Sequence, residues 1–376
     1  MKLRIDRITL REIRLPLKEP FQISSGTIEN RRICVLELQS AEGTVGWSEC
    51  VAGEFPNYHP ETIDTVWLAL REWIIPRILG VEFSGPQEIY DLLNRDIRGH
   101  QMARAAVEMG AWELAAHMKG DSLAKLLGGV REKIEVGISL GITKNPEALV
   151  EKVQQSFKQG YRKIKVKIKP GKDVEYVKSV RSAVGMDVPI MVDANNAYSL
   201  NDIDRLKELD DFNLMMIEQP LAWDDLVRHA KLQKLLKTPI CLDESITGVD
   251  KAEDMITLGS GKIINIKPGR VGGFLQAIAI HNLCADHGIP VWCGGMLESG
   301  IGRAHNVALA SLPNFTLPGD LSPSARYWER DIVSPEWTMD ADGMVTVPRE
   351  KPGMGIDVDM NRVENLTVRS ETLKAR

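Results

Sequence analysis

The chain has 376 residues, 43% of them hydrophobic and 26% charged, enough for a large and a smaller domain of an ordinary soluble globular protein. A formal net charge of −5 leaves no basic footprint for nucleic acid or an anionic membrane, and neither partner is expected. "MKLRIDRITLREIRLPL" scatters charges through the apolar run of a would-be signal peptide, and no later run is long enough to span a membrane, so the expected location is cytoplasmic.

Up to about residue 125 the pattern is α+β. "LRIDRITLREIRLPL", "RRICVLELQSA" and "TVGWSECV" alternate as a three-stranded antiparallel meander, with Glu42-Gly43 as a hairpin turn. Helical periodicity follows in "PETIDTVWLALREWIIPRIL", "GPQEIYDLLNRDI" and "HQMARAAVEMGAWELAAHMKG". The loops Ser24–Arg32 and Val51–Thr62, with Phe21, Phe55 and Tyr58, suit a lid over a site, although simple connection explains them equally well. The five cysteines are odd in number and lack a C-x-x-C, which argues for small buried residues over disulfides or a thiolate zinc site.

Between about residues 126 and 330 eight short apolar runs, beginning at Lys133, Lys163, Val188, Leu214, Pro239, Lys262, Pro290 and Phe315, recur at intervals of 23 to 30 residues with helix-like segments between them. Parallel strands need crossover helices, and eight of them close a sheet into a (β/α)₈-type barrel, here with an irregular last unit. Residues 331–376, rich in Gly, Pro and Asp, are expected to return to the N-terminal meander.

"GYRKIKVKIKPG" places a lysine at every second position of the second run. Such lysines could guard an edge strand. A closed barrel has no edge, however, so the aliphatic face belongs under the helices, and Lys165 and Lys167 point inward near the C-terminal mouth. At the same level the next three runs end in Asp193, Glu218 and Asp243, spaced 25 residues apart twice. Each alone could cap the following helix. Three in register would repel without a cation, and an all-oxygen set suits Mg²⁺, or Mn²⁺ in its place. Lys267, in "INIKPG" on the sixth run, faces Lys167 across the barrel. Burial and neighbouring positive charge are expected to lower its pKa and make it a second base. The reaction class is proton abstraction α to a carboxylate.

"KVKIKPG", "VDANNAY", "IEQPL", "CLDESI" and "INIKPGRVGG", in that order, resemble the enolase superfamily in its muconate-lactonizing-enzyme subgroup, and the resemblance covers nearly the whole chain. It implies an α/β fold, a modified (β/α)₇β TIM barrel at 126–330, with an N-terminal α+β capping domain at 1–125 completed by 331–376. It also implies Mg²⁺ ligation by Asp193, Glu218 and Asp243, catalytic Lys167 and Lys267 on opposite faces of a substrate, and Lys165 supporting the substrate carboxylate. No histidine stands at a seventh-strand end, and Ser322 follows Asp320 where dipeptide epimerases have D-x-D.

Arg270 and the block Gly294–Asn306 resemble the o-succinylbenzoate synthase and N-succinylamino acid racemase branch. The implied activity is dehydration of 2-succinyl-6-hydroxy-2,4-cyclohexadiene-1-carboxylate for menaquinone biosynthesis, racemisation of N-acylamino acids, or both. The substrate would be a small carboxylate with a succinyl arm. The implied substrate-binding residues are Asn195, Arg270, Gly294, Gly295 and Met296 on the barrel with Asp320, and Ser24, Phe21 and Tyr58 on the cap. A homo-oligomer is expected. Other lysine–lysine activities, such as a dipeptide epimerase or a cycloisomerase, stay open, as do a Schiff-base aldolase built on Lys167 and a non-catalytic ligand-binding barrel.

Overall fold

The computed structural model describes residues 2–23 and 26–375. Strands β1 (Leu3–Ile23), β2 (Gly26–Ser40) and β3 (Val45–Cys50) form the antiparallel meander, with Gly43 at φ 89° in its turn. Strand β2 is buried on both faces. Cys34, Leu36 and Leu38 enter the core of the cap, whereas Ile33 and Val35 face the core of the barrel.

One difference from the sequence reading stands out. The segment from Gly26 to Arg32, expected as loop, is strand, because β1 runs on to pair Phe21 with Ile28 and Gln22 with Thr27. The ladder skips between Pro16 and Phe21, where Pro16 and Pro20 have no N–H to give. The sheet also gains the C-terminal strand Thr367–Lys374, paired antiparallel to β1.

Three helical segments back the sheet. α1 (Ile63–Ala69) starts at a capping box of Thr62 and Thr65. A π-turn, Leu70–Ile74, follows it, where the ring of Pro76 would otherwise press on the carbonyl four residues back. α2 (Pro86–Asp96) is amphipathic. α3 (Gln101–Lys119) is buried almost all round, wedged between cap and barrel.

The barrel wall is one parallel sheet in chain order: β4 (Gly137–Leu140), β5 (Lys163–Lys167), β6 (Ile190–Asp193), β7 (Ile217–Glu218), β8 (Ile240–Leu242), β9 (Ile263–Ile266) and β10 (Val291–Cys293). Helices α4 (Pro146–Lys158), α5 (Val174–Val184), α6 (Ile203–Glu208), α7 (Leu226–Gln233), α8 (Val249–Leu258) and α9 (Phe274–Asp286) connect them, and α10 (Gly300–Ala310) follows β10. Asn145, Asp173, Asp225 and Ser299 cap α4, α5, α7 and α10. Helix capping thus falls to these loop residues and not to the acids at the strand ends.

The run from Lys133 was read as one strand. Lys133–Glu135 pairs instead with Met344–Thr346 outside the barrel, and the wall begins at Gly137. The eighth run is no regular strand. Phe315 bridges to Val291 and Gly319 to Val136, and the Gly137 amide donates to the Gly319 carbonyl at 2.6 Å, closing the barrel through a few bonds around Pro318. On β5, Ile164 and Val166 lie in the core beneath the helices, so Lys163, Lys165 and Lys167 face the interior. All five cysteines are free and buried. Among the described residues no helix is long and apolar enough to cross a membrane.

Candidate active site

The three expected acids stand side by side. Asp193 on β6 is in register with Glu218 on β7, Glu218 with Cys241 on β8, and Asp243 follows β8 directly. Each is at most 1% exposed. Parallel strands present their inward positions to one another at 4.7–4.9 Å spacing, which brings one acid per strand into a row.

Cations neutralise the row from both sides. Lys167 Nζ donates to Asp193 Oδ2 at 2.5 Å and to Asn195 Oδ1 at 2.7 Å. Lys165 Nζ lies 3.2 Å from Glu218 Oε2, 3.5 Å from Asp193 Oδ2 and 2.5 Å from Asp320 Oδ2. Lys267 Nζ donates to Asp243 Oδ2 at 2.8 Å, and Arg270 Nη1 also donates to Asp243. With β5 second and β9 sixth among eight wall segments, Lys167 and Lys267 stand on opposite walls.

Tyr58 reaches over the mouth from the cap. Its hydroxyl donates to Asp243 Oδ1 at 3.0 Å and accepts from Lys267 Nζ at 3.1 Å and Arg270 Nη1 at 3.2 Å.

Charge and burial set the protonation states. Burial pushes the Glu218 carboxyl up to about 8, and the charges of Asp193 and Asp243 add to this against the pull of Lys165. Burial works against Asp193 and Asp243 too, but Lys167 and Lys165 outweigh it for Asp193, and Lys267 and Arg270 for Asp243, so both stay below the usual carboxylate range. For Lys267 the sequence reading expected a lowered pKa. Burial does pull in that direction, yet Asp243 at 2.8 Å wins and holds the ammonium well above the ordinary lysine value. Lys165 is raised in the same way by Asp320, Glu218 and Asp193.

The donor set of Asp193, Glu218 and Asp243 is all carboxylate oxygen, without thiolate or imidazole. Their mutual repulsion, visible at Glu218, is what a hard divalent cation relieves, so these residues fit one by chemistry. Among the described residues no three acidic, histidine or cysteine groups converge as ready-made metal ligands, because the ammonium groups and Arg270 stand against the carboxylates.

The other expected residues take varied places. Asn195 sits at φ 40° beside Lys167 and bridges to Glu244 Oε1 at 3.3 Å. Arg270, expected to meet substrate, is fully buried and turns to protein instead: Asp243, Tyr58, the Ile246 carbonyl at 2.8 Å and the Asn265 carbonyl at 2.6 Å. A Cβ on Gly294 would come within 2.2 Å of Asn265 Oδ1 and 2.6 Å of Lys267 Cε, so the glycine clears the path of Lys267. Gly295 likewise admits the Asp320 carbonyl, 2.7 Å from where its Cβ would be.

Met296 packs with Tyr58 against the core of the cap. Phe21 lines a separate cavity of about 400 Å³ with Ile142 and Tyr327, and a second cavity of about 440 Å³ lies alongside under Lys152 and Arg326. Neither of these cavities is lined by Lys167 or Lys267; the lysine centre lies beneath Tyr58. Asp320, expected to hold substrate, is paired with Lys163 and Lys165. Ser24 lies outside the described residues.

Sequence reasoning missed Asn265, whose Nδ2 donates to Glu218 Oε1 at 2.7 Å. The period-2 pattern of β9, two residues before Lys267, would have found it. Gln219 and Leu297, both at positive φ, mark the same rim of strand ends, where backbone strain concentrates at functional sites.

Comparison with known proteins agrees with this architecture. Residues 5–128 match the mandelate racemase / muconate lactonizing enzyme N-terminal domain, and residues 148–362 match the enolase C-terminal domain-like family. The chain is similar to the o-succinylbenzoate synthase of Geobacillus kaustophilus, 49% identical over 98% of this chain and 97% of that one. It is also similar to the N-succinylamino acid racemase of Thermus thermophilus, 46% identical over 97% and 98%. A solved enolase-superfamily structure from Listeria innocua superposes over 100% of both chains with a TM-score of 0.96 at 40% identity. Relatives so named are enzymes, and members of the family generally depend on a divalent metal. With both domain models matched and identity near one half over almost its full length, the chain belongs to the mandelate racemase / muconate lactonizing enzyme family of the enolase superfamily.

Proposed function

We propose that this protein is an o-succinylbenzoate synthase, an N-succinylamino acid racemase, or both, working by abstraction of a proton α to a carboxylate, with Mg²⁺ as the metal. The observation that carries the reading is the pair of lysines on opposite walls with a row of three buried carboxylates between them. The relatives' names point to the same two activities.

Asp193, Glu218 and Asp243 are the residues that would hold a divalent cation, which would supply positive charge to the substrate carboxylate and compete with Lys267 for Asp243. Lys167 takes the α-proton from one face; the C–H electron pair passes into the carboxylate system. In racemisation Lys267, protonated, returns a proton to the opposite face. In the synthase reaction the electron pair returns to form the ring double bond and breaks the C–O bond, hydroxide leaves as water with the proton that Lys167 took, and the ring becomes aromatic. Lys165, between Asp193, Glu218 and Asp320, adds fixed positive charge beside the reacting carboxylate. Tyr58 covers the mouth and keeps Lys267 and Arg270 in register with Asp243. A dipeptide epimerase fits less well, since Asp320 is engaged by two lysines and Ser322 Oγ donates to the Gly137 carbonyl at 3.2 Å.

The test is an absorbance assay for dehydration of the cyclohexadiene carboxylate, beside proton NMR of N-succinyl-phenylalanine in deuterated buffer with Mg²⁺. Activity in either assay that EDTA abolishes supports the proposal; inactivity in both would move the function to another lysine–lysine reaction.

A further inference from the structure

Below the carboxylate row lies a second charged cluster that the reaction above leaves unexplained. Lys163, two residues before Lys165 on β5, is 0% exposed in the floor of the barrel. Its ammonium stands 3.3 Å from the centre of the Trp292 ring, at cation–π distance, and 3.3 Å from Asp320 Oδ1. Gly137 makes room for it, since a Cβ there would meet Lys163 Cε at 2.7 Å. The other oxygen of Asp320 takes Lys165 at 2.5 Å.

Asp320 is itself fixed by its backbone. Its amide donates to the Cys293 carbonyl at 2.9 Å, and its carbonyl accepts from Arg303 Nη1 at 2.8 Å. Trp292 is locked in turn by its indole N–H on Cys241 Sγ at 3.3 Å, amid Met191, Met216 and Ile263. One rigid carboxylate therefore sits between two buried ammonium groups, and only one of these reaches the row of acids. A lysine has four rotatable side-chain bonds, so an anchor below its ammonium decides where the charge is held.

We propose that Asp320 is a positioning residue which, braced by Lys163 on the face of Trp292, holds the Lys165 ammonium at the centre of the carboxylate row and does not contact substrate. The inference rests on the function proposed above only for its catalytic consequence; the charge arrangement stands apart from it.

Two experiments test it. In the first, kcat/KM for α-proton exchange of N-succinyl-phenylalanine is compared among wild type, Asp320→Asn, Lys165→Met and the double variant. If Asp320 acts through Lys165, Asp320→Asn lowers exchange roughly 30-fold or more in the wild-type background and less than about 3-fold once Lys165 is gone. Losses that multiply independently would overturn the inference, because Asp320 would then act on substrate directly.

The second experiment needs neither metal nor turnover. In the metal-free protein Asp320→Asn leaves two buried ammonium groups without their shared anion and lowers Tm by roughly 4–6 °C. Adding Lys163→Met removes the stranded charge and restores at least half of that loss. A double variant melting at or below Asp320→Asn would contradict the pairing. Should wild type exchange no proton at all, the proposed reaction fails while the melting comparison still judges this inference.

Discussion

Glu108 offers a test of how the cap is fastened to the barrel. It lies on α3, is 1% exposed, and accepts from the Phe274 amide at 2.8 Å, the Leu275 amide at 2.9 Å and the Trp112 indole N–H at 2.8 Å. A carboxylate of the cap thereby caps the first turn of barrel helix α9, just downstream of Lys267 and Arg270.

Burial pushes this carboxyl up from 4.5 to about 7, although the two amides and the indole pull it down. Between pH 4.5 and 7 the folded protein thus keeps a proton that the unfolded chain has released. Stability falls as pH rises through this window and levels off above it. Held at about 7 in place of 4.5, the carboxyl contributes about 3 kcal/mol. With an unfolding entropy of about 2.1 cal/mol/K per residue, this becomes about 4 °C in Tm for a chain of this length.

Glu108→Gln cannot ionise, and its single oxygen satisfies fewer of the three donors, which costs about 1–2 kcal/mol at every pH. The Tm of wild type minus that of the variant should therefore fall by about 4 °C between pH 4.5 and pH 8 in scanning calorimetry, from about 1–3 °C above the variant to below it. Other titrating groups, Glu49 among them, are common to both proteins and cancel in the difference. A Tm gap constant across that range would refute the reasoning.

Two further outcomes follow from the site. Gly294→Ala puts a methyl group 2.6 Å from Lys267 Cε, and should cut α-proton exchange roughly 100-fold while the protein still folds, as circular dichroism and the exchange assay would show; wild-type exchange would mean that Lys267 has room to spare. Tyr58→Phe deletes the hydroxyl joining Asp243, Lys267 and Arg270, and steady-state kinetics should give a kcat lowered roughly 10- to 100-fold; an unchanged kcat would assign Tyr58 to covering the site alone.

The legible part of the site was the part governed by period. Alternation on β5 turned Lys165 and Lys167 inward, and the repeat of 25 residues aligned Asp193, Glu218 and Asp243 on successive strands. What depended on distant partners was not legible. Lys163 belongs to the same alternation, but its partner Asp320 lies 157 residues away on the irregular closing segment. Arg270 enters as a substrate-binding residue only through the resemblance, and only the fold shows its guanidinium spent on Asp243 and two carbonyls.

The cap shows the same divide. The meander followed from alternation, whereas the continuation of β2 through Gly26–Arg32 depended on the ladder resuming beyond Pro20. The burial of Glu108 depended on α3 being covered on all sides, which a charged residue in its sequence does not announce.

The central claim is that Lys167 and Lys267 serve opposite faces of one α-carbon. The direct measurement is deuterium incorporation into the separate D and L enantiomers of N-succinyl-phenylalanine by wild type, Lys167→Ala and Lys267→Ala in Mg²⁺ buffer. The account predicts that wild type exchanges and interconverts both, and that each variant retains exchange with one enantiomer only, opposite in the two proteins, with no racemisation. Lys267→Ala exchanging both enantiomers at wild-type rates would contradict it.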